Sequence, residues 1–282
     1  MSYTNSIGII QNLSHFFNDK ENQLLDSMVE AGVETVQVLV NTSSYQLMTE
    51  ENAEKLLKMT EGKVRITSLW AGWHSGPSIW DFIDGPGTLG LVPDEYREAR
   101  VKELKLDADF AHRLGVHDIA SHVGFIPEQP CYHGYKETVA AVADIAEYCS
   151  KYDMYFNFET GQETPTTLMR VINEIGADNL GVNLDPANLI LYGRANPVDA
   201  LDLYGDRVRG VHVKDGSYPS GDFYKLGHEK VVGEGSVNFP VFIPKLLSMG
   251  YKGDLYIERE ISGEERARDI KKTIGYIRSL MA

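Results

Sequence analysis

The chain has 282 residues, 43% of them apolar and 24% charged, an ordinary globular composition with room for one large core or two small domains. Its 27 basic and 41 acidic residues leave a net charge of −14. A chain this acidic is a poor partner for nucleic acid or an anionic membrane surface, because phosphate recognition needs stripes of Lys and Arg, whereas it tolerates divalent cations.

The opening, MSYTNSIGIIQ, has no basic segment followed by a long apolar run, so no secretory signal is expected. Its SIGII (6–10) is the first strand candidate, and an amphipathic helix pattern follows over 21–32. VETVQVLV (33–40) and KVRITSLW (63–70) are the second and third strands. A long connection at 71–94 then carries two tryptophans and five glycines, composition that suggests a mobile lid with aromatic contacts. A helix over 96–115 leads to strand 116–123, and a helix over 135–152 leads to strand 153–159, which reads DMYFNFE. Strands at 179–185 and 207–214 precede a second long connection, 215–237. A helix over 241–250 and the strand DLYIERE (254–260) close the series. Several helices run into Gly before the next strand (AGVE, LGVH, IGAD, MGYKGD), the C-cap of a repeating helix-to-strand unit. Cys131 and Cys149 form no CxxC motif, and no disulfide framework is implied. No apolar stretch approaches 18 residues, so no membrane span and a cytoplasmic location are expected.

Eight strand-and-helix units with no strand left over predict a (β/α)₈ TIM barrel, one domain over 1–282 with long active-site loops at 71–94 and 215–237. A doubly wound open sheet would carry a phosphate-binding GxGxxG after its first strand, and here GII is followed by QNLSHFF.

In a barrel, side chains at the C-terminal ends of the strands converge. Those ends offer His122, Glu159, Asp185, His212 with Lys214, and Glu258. A carboxylate ending the apolar run MYFNF is expensive unless it is paired, protonated or bound to metal. Taken singly, such an Asp or Glu is more often a helix cap or a salt-bridge partner, and such a His a satisfied core residue. Glu159, Asp185, His212 and Glu258 lie 26, 27 and 46 residues apart, roughly one barrel unit each with the last stretched by the long loop. Three carboxylates and one imidazole suit a divalent cation, Mn²⁺ first, with Mg²⁺, Co²⁺ and Zn²⁺ as alternatives. His15, His112, His117, His133 and His228 read as loop, helix or surface residues.

NFETGQE, GVNLDPANL, GVHVKD, VVGEGSVNFPVFI and GYKGDLYIERE together resemble the xylose isomerase-like TIM barrels of the sugar phosphate isomerase/epimerase superfamily. The resemblance runs along nearly the whole chain and is strongest over 153–260. It implies a Glu–Asp–His–Glu metal site at Glu159, Asp185, His212 and Glu258. In the family's ketose 3-epimerases the first and last glutamates also flank the substrate carbon and exchange its proton. Two positions depart from those epimerases: Asn188 stands where they carry a His, and KDGSYPSGDF has no obvious counterpart of their seventh-loop Arg. Lys214–Asp215 and the Trp-rich third loop look more like the broader branch, which includes enzymes of 3-oxo sugars and glycosides, inosose dehydratases and C-glycoside-cleaving subunits.

The expected activity is a metal-dependent sugar isomerase or epimerase. A metal chelated by a hydroxyl and the adjacent carbonyl acidifies the carbon between them and stabilises the enediolate, while a carboxylate removes the proton and an acid returns it. Glu159 and Glu258 are the expected bases for opposite faces, and His122 is the next candidate acid/base. Lys214 is expected to bind a substrate oxygen, the alternative being a salt bridge to Asp215. Trp73, His74 and Asn188 are also expected at the substrate, and Trp70 and Trp80 could stack on a sugar face. A lyase on the same scaffold uses the same abstracted proton and then expels a β-substituent. A DNA-repair endonuclease would need more zinc-binding histidines and a basic groove, and a non-catalytic partner subunit would not need every ligand retained. The expected partner is a small carbohydrate; a homo-oligomer or a heteromeric partner subunit is compatible with the sequence.

Overall fold

Alternation along the strands dictates which residues face the barrel axis and which face the helices. In β5 (Tyr155–Glu159) the rings of Phe156 and Phe158 share one face, 5.7 Å apart, and are buried. Asn157 and Glu159 take the other face, toward the axis. Burial on both faces is what a parallel barrel strand requires, and each buried Phe is worth about 1.5–3 kcal/mol.

The computed structural model describes residues 5–18 and 21–282, so a domain assignment to 1–282 extends partly outside the described residues. In chain order the elements are β1 (Ile7–Asn12), α1 (Glu21–Ala31), β2 (Thr35–Val40), α2 (Glu50–Thr60), β3 (Arg65–Ala71), α3 (Gly85–Thr88), α4 (Asp94–Arg113), β4 (Asp118–His122), α5 (Tyr135–Ser150), β5, α6 (Pro165–Ile175), β6 (Leu180–Leu184), α7 (Pro186–Leu191), α8 (Pro197–Tyr204), β7 (Val208–Val213), β8 (Asp215–Ser217), β9 (His228–Lys230), α9 (Phe239–Ser248), β10 (Leu255–Ile257) and α10 (Gly263–Met281). Eight strands close a barrel in the order β1-β10-β7-β6-β5-β4-β3-β2, every neighbouring pair parallel. All eight expected strands are present. Gly32, Gly115, Gly176 and Gly250, the glycines that close the four helices, have φ between 67° and 86°, the left-handed conformation of a C-cap. No helix of the described residues is long and apolar enough to cross a membrane.

The two long loops take different forms. After β3, residues 72–93 hold only α3, and α4 pins the first part of the loop from below. Arg100, fully buried, donates to the carbonyls of Gly90 (2.7 Å), Pro77 (3.0 Å) and Ser75 (3.2 and 3.3 Å). Glu103 accepts from the His74 backbone N–H at 3.0 Å and from the Ser75 hydroxyl. A buried guanidinium with its donors on loop carbonyls makes the base of this loop part of the fold, which corrects the expectation of a mobile lid for that stretch. After β7, β8 and β9 form a small antiparallel hairpin. Asp215 anchors it by accepting four backbone N–H groups, from Gly216, Gly233, Gly235 and Val237, at 2.8–3.1 Å.

Candidate metal centre and active site

Four strand ends deliver the four expected ligands. Glu159 ends β5, Asp185 follows β6, His212 lies in β7 and Glu258 follows β10. One ligand atom from each lies within 4.8 Å of all the others. His212 Nδ1 stands 2.9 Å from Glu159 Oε1, 3.1 Å from Glu258 Oε2 and 3.7 Å from Asp185 Oδ2.

Asp185 holds two roles at once. Its Oδ1 caps α7 by accepting the Asn188 N–H at 2.9 Å, while its Oδ2 is buried without a hydrogen-bond partner. The helix-cap reading and the ligand reading are therefore compatible, because one oxygen caps the helix and the other is left to face the cluster.

His212 is oriented from behind. Gln37 donates from Nε2 to Ser68 Oγ (3.0 Å) and Asn183 Oδ1 (3.3 Å), so its Oε1 is free to accept from His212 Nε2–H at 2.6 Å. Asn183 in turn donates to Glu159 Oε2. Binding a metal at Nδ1 requires the imidazole proton on Nε2, where Gln37 Oε1 is placed to accept it, and Nδ1 is buried and aimed at the three carboxylates. Two buried atoms without a completed hydrogen bond, facing one point among three carboxylates, fit a divalent cation. The electrostatics agree. Burial pushes Glu159 up to about 7 against the pull of His212. Burial would also raise Glu258, but Lys214 and His212 hold it well below the usual carboxylate range. Burial would lower His212, yet Glu159 and Glu258 drive it far above its ordinary value.

Above the cluster is a cavity of about 380 Å³, lined by Trp70, Trp80, His122, Asn188, Tyr192 and Lys214 among others. Lys214 Nζ lies 2.5 Å from Glu260 Oε1, 3.3 Å from Glu258 Oε2 and 3.4 Å from Asn188 Oδ1. The alternative pairing with Asp215 does not occur, because Asp215 is consumed by the loop N–H groups. His122 is buried edge-on to Trp70 and Trp80, at 5.8 and 5.0 Å between ring centres. Burial depresses its pKa to about 3, so it is a neutral hydrogen-bonding group. As an imidazolium acid it is unsuited to work near neutral pH, which narrows the acid/base role expected for it.

Trp73 and His74 do not reach the cavity. Trp73 is 5% exposed and packs under the loop, with the Arg100 guanidinium 5.0 Å from its ring centre. His74 is wedged between the Tyr45 ring at 4.7 Å and Asp107 Oδ1 at 3.5 Å. Both expected substrate contacts are therefore structural, and Trp80, 43% exposed, is the tryptophan that this loop brings to the mouth. His15, His112, His117, His133 and His228 all lie away from the cavity. Sequence reasoning missed Gln37, Asn183, Gln162, Tyr192 and Glu260. A polar residue inside an apolar strand (VETVQVLV, NLGVNLD) was the available signal for the first two.

The model for the xylose isomerase-like TIM barrel family matches residues 25–280. This chain belongs to that family. As a member of the xylose isomerase-like barrels it is similar to the crystal structure of a xylose isomerase domain protein from Planctomyces limnophilus, with a TM-score of 0.87, 30% identity and coverage of 99% of this chain and 98% of that one. It shares its fold with a D-tagatose 3-epimerase-like protein, at a TM-score of 0.71 and 19% identity over 98% of this chain and 97% of that chain. It is 29% identical over 117 residues, 38% of each protein, to the inosose dehydratase of Geobacillus kaustophilus. The chain spans 63% or less of the length of the curated relatives it matches.

Proposed function

We propose that this protein is a divalent-metal-dependent isomerase or epimerase that moves a proton at the carbon beside a carbonyl of a small sugar or keto-sugar. The observation that carries this reading is the meeting of Glu159, Asp185, His212 and Glu258, with His212 Nδ1 and Asp185 Oδ2 buried and unpaired below an aromatic cavity. These four residues would hold the metal, with Mn²⁺ expected first from the donor set. When bound, the metal supplies Lewis-acid polarisation of the substrate carbonyl. Glu159 and Glu258 come from β5 and β10, separated in the barrel by β6 and β7, and so address the substrate from different sides. One takes the proton at its carboxylate oxygen and the other returns it. Lys214 Nζ, held by Glu258, Glu260 and Asn188, presents a donor to a substrate oxygen. Trp70 and Trp80 cover the apolar face of a sugar ring and exclude water.

The substrate is read as non-phosphorylated. Among the described residues, Lys214 is the only cationic side chain lining the cavity besides the neutral His122, and it is already tied to carboxylates. A phosphate would meet Glu258 and Glu260 with no free guanidinium to offset them. The setting proposed is the cytoplasm, with the carbohydrate as partner.

Elimination on the same scaffold is the second reading. It is favoured by the partial similarity to an inosose dehydratase and by Lys214, an ammonium able to protonate a leaving hydroxyl. Incubating Mn²⁺-loaded protein with methyl 3-oxo-β-D-glucopyranoside or scyllo-inosose in D₂O separates the two by mass spectrometry. Deuterium uptake without loss of water supports isomerisation, an unsaturated product supports the lyase, and neither outcome with either compound overturns both. A full equivalent of Mn²⁺ still bound by His212→Ala would overturn the metal site.

A further inference from the structure

The cavity has a second polar edge, on the β4–β5 side of the mouth. His122 and Tyr192, 4% and 5% exposed, line the cavity there, and Gln162, 1% exposed, is buried beside them. By strict geometry His122 Nδ1, both amide atoms of Gln162 and the Tyr192 hydroxyl complete no hydrogen bond, although the Gln162 amide lies close enough to both His122 and Tyr192 to interact with them. The three side chains come together around Gly161. A Cβ at Gly161 would lie 3.4 Å from His122 Cε1 and 3.6 Å from Tyr192 Cδ2, and Gln162 is the next residue, its amide close to both rings.

The two rings are packed among other aromatic side chains. Tyr192 sits edge-on to Phe82 and Phe125, both at 5.8 Å between ring centres, and His122 sits between Trp70 and Trp80. A buried polar atom without a partner costs about 1–3 kcal/mol, so a folded chain rarely leaves several together. Here the unmatched atoms include His122 and Tyr192 on the wall of one open cavity, where a ligand can complete them. An imidazole, a carboxamide and a phenol each both donate and accept, and none brings a fixed charge. That mixture matches hydroxyl groups, which also donate and accept, better than it matches a carboxylate or phosphate, which only accepts.

We propose that His122 and Tyr192, positioned by the buried Gln162 amide, form a hydroxyl-recognition edge that binds adjacent ring hydroxyls of the substrate and sets which sugar is accepted. This rests on the carbohydrate reading above and adds to it the residues that discriminate. A site built to hydrogen-bond a hydroxyl discriminates strongly, because an analogue lacking that hydroxyl leaves buried groups unpaired again.

The test uses Mn²⁺-loaded wild-type protein, Tyr192→Phe and Gln162→Leu, with methyl 3-oxo-β-D-glucopyranoside, its 2-deoxy and 4-deoxy forms, and scyllo-inosose as probes. Dissociation constants are read by calorimetry, bound Mn²⁺ by elemental analysis and solvent deuterium uptake by mass spectrometry. Each variant is expected to bind the accepted probe about tenfold more weakly, the scale of one hydrogen bond, with Mn²⁺ content unchanged. One deoxy probe should bind the wild type more weakly and lose nothing further in the variant whose partner hydroxyl it lacks. Tyr192→Phe removes a single oxygen and carries the test should Gln162→Leu fail to fold. Variants that bind every probe with wild-type constants, while the wild type exchanges deuterium, overturn this edge alone. A wild type that neither binds nor exchanges any probe overturns the carbohydrate reading and the edge with it.

Discussion

A histidine nitrogen can bind a metal only if its proton sits on the other nitrogen, and here Gln37 decides which. Its carboxamide is fixed by Ser68 and Asn183, so its oxygen must face His212 Nε2. Gln37→Leu removes the acceptor and frees the imidazole to rotate or change tautomer. Mn²⁺ affinity is expected to fall by about 10- to 100-fold with the fold retained, measured by calorimetry; an unchanged constant would show that the carboxylates alone orient the site. Glu163 behaves differently. It is 2% exposed, its carboxylate oxygens find no well-formed hydrogen bond beyond weak backbone N–H contacts from Gly161 and its own residue, and burial raises its pKa to about 8. The folded state therefore holds the Glu163 proton more tightly than the unfolded chain does. The stability it contributes is fully present below the ordinary carboxyl pKa of 4.5 and is lost as pH rises through about 8. At 1.36 kcal/mol per pH decade, the wild type is expected to lose on the order of 4 kcal/mol from this group between pH 5 and 9. Glu163→Gln should flatten that loss, as read by urea unfolding at the two pH values. Equal pH dependence in both proteins would refute the assignment.

The loops show what an element adds to a residue. The third loop carries two tryptophans seven residues apart, in WHSG and WDFI, and they have opposite fates. Trp73 packs on buried Arg100, so Trp73→Ala should cost about 3–5 kcal/mol of stability while leaving Mn²⁺ affinity unchanged. Trp80 faces His122 from the rim, so Trp80→Ala should leave the melting temperature nearly unchanged and weaken keto-sugar binding. Thermal unfolding and calorimetry on the same two variants check both; the opposite pattern would return Trp73 to the substrate. Sequence order could not separate these residues. Which of them turns inward is fixed by α4, whose Arg100, Glu103 and Asp107 hold the segment around residues 73–77.

Across the whole molecule, the four ligands tie together β5, β6, β7 and β10, four adjacent staves of the barrel. Their three carboxylates repel one another, so a cation that binds only the folded arrangement stabilises the entire chain. At a hundred times its dissociation constant, Mn²⁺ should add about 2.7 kcal/mol, seen as a rise in melting temperature that EDTA reverses. Asp185→Asn keeps a side chain able to cap α7 but removes the charge, so it should fold and lose most of that rise. A full Mn²⁺-dependent rise in Asp185→Asn would show that the metal sits elsewhere.

The eight strands, the capping glycines and the ring of Glu159, Asp185, His212 and Glu258 were legible in the sequence, because each follows from local periodicity and barrel geometry fixes where every strand end points. A strand end is a position, and position was enough to bring those four together. The support behind them was not legible. Gln37 and Asn183 are single polar letters inside apolar strands, and their function exists only when β2 and β6 face each other across the barrel axis. Lys214 beside Asp215 looked like a local pair, but the fold sends Asp215 to the loop of residues 216–237 and Lys214 to Glu258 and Glu260. His122 ends β4, Gln162 follows β5 and Tyr192 follows α7, so they meet only once the barrel has closed. Periodicity sets which face of an element is buried; which distant side chain it meets there is decided by closure of the barrel and by the loops that cross its mouth.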